Sequence, residues 1–208
     1  MDVMLFLGLV GFAFATLITP GPNNLLLMSS GALFGWRATL PHIVGIQVGF
    51  ASVLVGAIFG LGAVLQSFPE LLTVVKIGGA SWLLWMATRF FRLARSSHSL
   101  VIQDGPTATA VPRPFRFHEG VLFQWANPKA ILIAVSTAGA YSKIAEDVVY
   151  RAVTIGSVFL VVGVSTSATW TTLGELLHRM MSEGRAAAVI NAVIGLMLVG
   201  TAATILLA

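Results

Sequence analysis

Lys129 is the residue in this chain that most needs a chemical reason. It lies nine residues into an apolar run from Gly120 to Ser142, which at 1.5 Å per residue puts it about 13 Å deep. A lysine at that depth in a bilayer costs about 2.5–3.5 kcal/mol on insertion scales, so an intramembrane site is the default explanation. Its ammonium can hold a carboxylate. Asn127 and Pro128 stand directly before it. Asn23, in the motif Thr19-Pro20-Gly21-Pro22-Asn23-Asn24, precedes Asn127 by 104 residues, half the chain length of 208. Proline removes a backbone donor and clashes with the preceding turn, so each motif is expected to interrupt its helix. Asn23, Asn24 and Asn127 offer donors and acceptors together, which matches a zwitterionic ligand. Gly21 allows close approach of backbone or ligand. A half-helix opening at Asn23 and Asn24 would turn its free amides toward a carboxylate. With Gln124, these give six ligand-binding candidates: Gly21, Asn23, Asn24, Gln124, Asn127 and Lys129. Each has a structural reading too. The lysine can be tied to backbone carbonyls freed by proline or can snorkel, and the asparagines can cap half-helices.

A second set of polar residues lies in apolar surroundings. Gln47 and Gln124 can each bond a neighbouring helix. At 100° per residue, Thr154, Ser157, Ser165, Thr169 and Thr172 share one helical sector, a stripe that can either line a pathway or pack helices. Gln47, Ser165, Thr169 and Trp170 are the pathway-lining candidates. The four histidines, 42, 98, 118 and 178, fall at expected helix ends or loops without metal-ligand spacing. There are no cysteines, which excludes disulfides and thiolate sites. No metal or cofactor is expected. Gly79-Ala80-Ser81 superficially resembles a nucleophile loop, but no histidine base is expected deep in the membrane, so an enzyme is disfavoured.

The elements that position these residues are membrane spans. The chain is 57% apolar and 10% charged, with mean hydropathy +0.91, against about 25% charged for a soluble domain. Six runs are long enough to cross a bilayer: Val3–Phe34, Ile43–Leu65, Leu71–Phe91, Gly120–Ser142, Ala152–Leu173 and Ala186–Leu207. The first and fourth carry the interruptions. The net charge of +4 sits in connections, which argues against nucleic-acid binding. Arg37, Arg89, Arg92, Arg95, Arg113, Arg116, Arg179 and Arg185 share one side, while Lys143 and Arg151 share the other. The positive-inside rule makes the arginine-rich side cytoplasmic and puts both termini outside. The expected fold is therefore an all-α integral membrane protein, a 3+3 inverted repeat with helices 1 and 4 interrupted. Residues 1–91 form the first repeat, 92–118 a cytoplasmic linker holding Pro106, Pro112 and Pro114, and 119–208 the second repeat. Gly174 to Arg185 has the spacing of a short interfacial helix. The N-terminus reads as the first span and not as a cleaved signal. Gly31-x-x-x-Gly35, Gly45-x-x-x-Gly49 and Gly56-x-x-x-Gly60 suit tight internal bundling first and a homodimer second.

These residues resemble the LysE/RhtB amino-acid exporter family. Thr19-Pro20-Gly21-Pro22-Asn23 with Gly31, Gly35 and Arg37 is similar to its first-helix signature, and Gly45-x-x-x-Gly49 to its second helix. Lys76-x-Gly78-Gly79-Ala80-x-Trp82-Leu83 is similar to the third, and Phe117-x-x-Gly120 through Asn127-Pro128-Lys129-Ala130 to the fourth. The resemblance implies a bacterial inner-membrane exporter of amino acids or close derivatives, driven by the proton or another ion gradient. It also implies a central site at Pro20, Gly21, Pro22, Asn23, Asn127, Pro128 and Lys129. Two details depart from the family: Phe50 stands where many members carry an acid, and helix 4 ends Thr137-Ala138-Gly139-Ala140-Tyr141. With Asn24 and Phe123-Gln124, they resemble the cysteine and O-acetylserine branch, and small neutral substrates follow. The alternative is a passive channel or uniporter for small solutes.

Overall fold

The computed structural model describes residues 2–61, 67–95, 113–180 and 184–207. Within its helices it leaves some side chains undescribed, Lys76 among them. The described residues form helices and connections without a strand. The first helix, α1, is Val3–Ile18, capped by Asp2, whose carboxylate accepts from the amide of Met4 at 2.9 Å. Pro22–Gly56 follows, helical except at Gly35, where φ is 75°. We number its two parts α2 (22–34) and α3 (36–56). A π-helical turn, Ala57–Leu61, extends α3. Then come α4 (Pro69–Arg95), α5 (Phe117–Ala126), α6 (Pro128–Ala140), α7 (Val148–Met180) and α8 (Gly184–Leu207). Pro22 and Pro128 each occupy a first helical turn, where a missing amide hydrogen costs nothing.

The chain reverses at Gly35. Ser30 and Thr39 are nine residues apart, about 13 Å along a straight helix, yet their hydroxyls are 2.8 Å apart. Thr39 also donates back to the Gly35 carbonyl at 2.9 Å. The expected connection between Phe34 and Ile43 is therefore a single glycine in the left-handed region, which side-chain-bearing residues rarely adopt. The helix containing Gly174 likewise continues unbroken to Met180, so no separate interfacial helix begins there. Residues 181–183 and most of the expected linker, 96–112, lie outside the described residues.

Among the described residues, two helical stretches are long and apolar enough to cross a bilayer, Pro22–Gly60 and Val148–Leu177, while Val3–Ile18 and Pro128–Ala140 are apolar but shorter. Among the described residues three apolar clusters form. The smallest joins Leu27 of α2 with Ile43 and Ile46 of α3, and two are larger. One joins Leu9 and Ala13 of α1, Phe50, Val53 and Leu54 of α3, Ala130, Ile131 and Ala134 of α6, and Ile155 and Phe159 of α7. The other joins Leu25 and Leu26 of α2, Ala80, Leu83 and Ala87 of α4, Phe123 of α5, and Leu198 and Ala202 of α8. The pair α1–α2 therefore runs from the first cluster to the second, and α5–α6 runs the opposite way. Both interruptions lie where the clusters meet.

Small residues set the helix spacing there. A side chain at Gly31 would strike the Thr171 carbonyl, and one at Gly174 the Met28 carbonyl. Gly45 meets the Phe117 carbonyl, and a Cβ on Gly49 would come within 2.7 Å of Val121 O. Gly31, Gly45 and Gly49 of the glycine motifs are thus used inside the bundle, letting backbones touch as small residues do between membrane helices, whereas Gly35 and Gly60 have open space around them.

Candidate functional site

An α-helix leaves its last carbonyls without partners, and at the end of α1 side chains supply them. Asn24 donates its Nδ2 to the carbonyls of Leu17 (2.7 Å) and Thr19 (2.9 Å). Trp170 of α7 donates to Ile18 at 3.3 Å. Thr19 donates to Ala15. The remaining donor comes from the other half of the chain: Lys129 Nζ reaches the Thr19 carbonyl at 2.9 Å. A cation at this end also complements the helix dipole. Gly21 makes room, since a Cβ there would stand 2.9 Å from Nζ and 3.1 Å from Cδ of Lys129.

The second interruption is one residue wide. Asn127 is extended (φ −94°, ψ 104°), and its Oδ1 caps α6 by accepting from the amide of Lys129 at 3.1 Å. Its own amide turns back to Gln124 O at 3.3 Å. Gln124 is fully buried and pairs with Asn23 in both directions, at 2.8 and 3.1 Å. Asn23–Gln124 and Lys129–Thr19 thus tie the two interruptions to each other.

A cavity of about 40 Å³ lies between them, lined in part by Gly21, Asn23, Asn24, Asn127 and Lys129. The space is large enough to admit water. Lys129 is the one ionisable residue in the lining. Gly21 gives α2 no side-chain cap, and the first backbone bond into its N-terminus is Leu25 N to Gly21 O at 3.0 Å. The amides of Asn23 and Asn24 are therefore free to receive an anion. Asn24 Oδ1 and Asn127 Nδ2 have no hydrogen-bond partner among the described residues. The opposite wall is apolar: Phe50, Ala130 and Ile133. Such a site can hold a carboxylate by ammonium and amides, and an amine by an amide oxygen, without any group to neutralise a cationic side chain.

Of the ligand-binding candidates, those implied by the resemblance included, Gly21, Pro22, Asn23, Asn24, Asn127 and Lys129 line this cavity. Pro20 is exposed, Pro128 is buried beside Gly79 of α4, and Gln124 acts through Asn23. Much of the asparagine chemistry is committed to capping and to the cross-tie. Among the pathway candidates, Trp170 reaches the first interruption and Gln47 donates to Ser167 of α7 at 3.1 Å. Ser165 and Thr169 are exposed and bond back to their own helix, at Val161 O and Ser165 O, so the structure does not bring them to the cavity. Thr154 and Ser157 of the same stripe behave likewise. Phe50 and Trp170 belong to the site's surroundings through contacts between distant segments, which spacing along one helix does not reveal.

His42 corrects the expectation for the histidines. It sits within α3, fully buried, stacked on Phe115 at 4.8 Å, and neither ring nitrogen has a partner among the described residues. Outside the apolar segments, Arg113 pairs with Glu119 at 2.5 and 2.8 Å where α5 begins. That hydrogen-bonded pair holds the Glu119 carboxyl down at about 2.

A family model for the LysE type translocators matches residues 14–208. Among curated relatives, a cysteine/O-acetylserine efflux protein of Salmonella choleraesuis (strain SC-B67) is 26% identical over 205 residues, covering 96% of each chain. One of the same description from Escherichia coli (strain K12) is 27% identical over 192 residues, covering 90% of each. No solved structure matches.

Proposed function

Because this chain belongs to the LysE type translocator family, it is a membrane transporter and not an enzyme, and we propose that it exports small neutral amino acids or close derivatives from the cytoplasm. The observation that carries the proposal is the cavity: an ammonium, two uncapped amides and an unengaged amide oxygen converge on one space. Those are the partners a zwitterion needs. Lys129 and the α2 amides take the carboxylate, and Asn24 Oδ1 takes the amine, with Asn127 Nδ2 as a further donor. Asn23 holds the geometry through Gln124. The apolar wall at Phe50 and Ile133 receives a small uncharged side chain. The efflux relatives named for cysteine and O-acetylserine support that substrate class.

In this reading the chain is a six-span inverted repeat, 1–91 and 119–208, joined by a cytoplasmic linker, with both termini periplasmic in the bacterial inner membrane. The antiparallel run of α1–α2 against α5–α6 supports it. We read this arrangement, with Lys129 seated on the Thr19 carbonyl, as the closed stage of the cycle. Rocking of one repeat against the other opens it to each side in turn. Export draws on the proton gradient, and within the cavity lining Lys129 is the group able to exchange a proton.

Uptake of radiolabelled amino acids and O-acetyl-L-serine into inside-out vesicles, with and without an imposed proton gradient, tests this. Gradient-dependent accumulation of a neutral amino acid is expected. Equilibration indifferent to the gradient would establish a channel or uniporter in its place.

A further inference from the structure

We propose that Lys129 is a substrate-released latch between the two interrupted helices; this rests on the reading of the cavity as a carboxylate site. In the closed stage its ammonium donates across 110 residues of sequence to the carbonyl of Thr19, at the end of α1. The same carbonyl accepts a second hydrogen bond, from Asn24 Nδ2 at 2.9 Å. Departure of the lysine therefore leaves Thr19 satisfied. No acidic residue lines the cavity, so without a ligand the ammonium finds only neutral acceptors there, such as the Asn24 amide oxygen or water. Moving to a neutral acceptor gains nothing over Thr19, whereas moving to a carboxylate exchanges one charge-assisted hydrogen bond for a stronger one.

The asymmetry makes the latch selective. A ligand bearing a carboxylate in the cavity removes Lys129 from Thr19 and frees α1 from α6. A ligand of the same length with only an amine leaves the latch shut. The empty protein stays closed, and the two halves separate when cargo is aboard. The lysine thereby does more than bind. It reports occupancy to the helix end that must move, and Gly21 keeps the path between its two positions clear.

Trp170 is placed to read the latch, because its indole N–H bonds Ile18 O, one residue from Thr19, while its side chain lies outside the cavity lining. The full-length protein with Trp36, Trp82, Trp85 and Trp125 changed to Phe leaves Trp170 as sole emitter. Its fluorescence is recorded in detergent with O-acetyl-L-serine and with 2-aminoethyl acetate, the same molecule without its carboxylate. Radiolabelled O-acetyl-L-serine binding is measured in parallel. Emission is expected to shift with the amino acid and not with the amine. Lys129→Met, which has no donor, should without ligand already show the shifted spectrum and bind at least about tenfold more weakly, the loss of one charged hydrogen bond. Lys129→Arg, which keeps a donor, should rest at the unshifted spectrum. A Lys129→Met spectrum like that of the unliganded parent, or a shift with the amine, overturns the latch while leaving the carboxylate site standing. No binding of O-acetyl-L-serine to the parent overturns the transport reading and its latch together.

Discussion

The two interruptions are built differently. At 19–21 the chain leaves the helix over three residues and depends on donors from elsewhere, Asn24, Trp170 and Lys129, to satisfy the end of α1. At Asn127 it leaves for one residue and caps itself. The wide interruption exposes uncapped amides at α2; the narrow one consumes its own asparagine. The first is therefore suited to exchange partners with a ligand, and the second to hold Lys129 and α6 in fixed register. Proline marks both, but only the number of residues outside the helix, and where replacement donors come from, separates the open interruption from the self-capped one.

Substitutions can break or sharpen that contrast. Apart from Lys129 itself, the largest effect is expected at Gly21. Its backbone is extended (φ −172°), a conformation valine favours, so Gly21→Val should keep the fold but push the Lys129 side chain from its seat. Transport should fall by roughly 10–100-fold, the worth of a charged hydrogen bond, with the melting temperature little changed. Asn23→Ala should act on stability, because it strands the fully buried Gln124. A loss of about 1–3 kcal/mol is expected, largely recovered in Asn23→Ala with Gln124→Leu, as a double-mutant cycle in detergent would show. Asn127→Ala removes the cap of α6 and should cost about 1 kcal/mol, with transport reduced less than in Gly21→Val. Ser165→Ala and Thr169→Ala, which touch only their own helix, should change stability by less than about 0.5 kcal/mol and leave flux unchanged.

One ionic tie lies apart from both interruptions. The folded-state pKa of Glu119 is depressed to about 2 by Arg113, so the tie contributes fully above the usual glutamate range and is lost as pH falls from about 4.5 toward 2. Glu119→Gln should flatten that acid limb of a stability profile and little else.

Much of this organisation is legible in the sequence. Proline within apolar runs announces both interruptions, and the cost of burying an ammonium singles out Lys129. What is not legible is pairing. Nothing in the spacing says that Lys129 finds a carbonyl freed by the other motif, or that Gln124 completes Asn23 and not a ligand. The reversal at Gly35 turns on a single residue's φ, too local to read from hydropathy. His42 reads as a helix-end residue because it borders an apolar run, but that reversal brings it into the bundle against Phe115. The serine and threonine stripe misleads for a related reason: a hydroxyl can satisfy itself on its own helix, so a polar face need not be a wet one.

The central claim is that the Lys129 ammonium, facing the first interruption, holds the substrate carboxylate. Its most direct test is export by Lys129→Gln and Lys129→Arg at matched membrane abundance, assayed with radiolabelled O-acetyl-L-serine in inside-out vesicles. The account predicts that Lys129→Gln loses transport, that Lys129→Arg retains part of it, and that both fold normally. Transport by Lys129→Gln at the wild-type rate would contradict it and leave the lysine as a structural tie to α1.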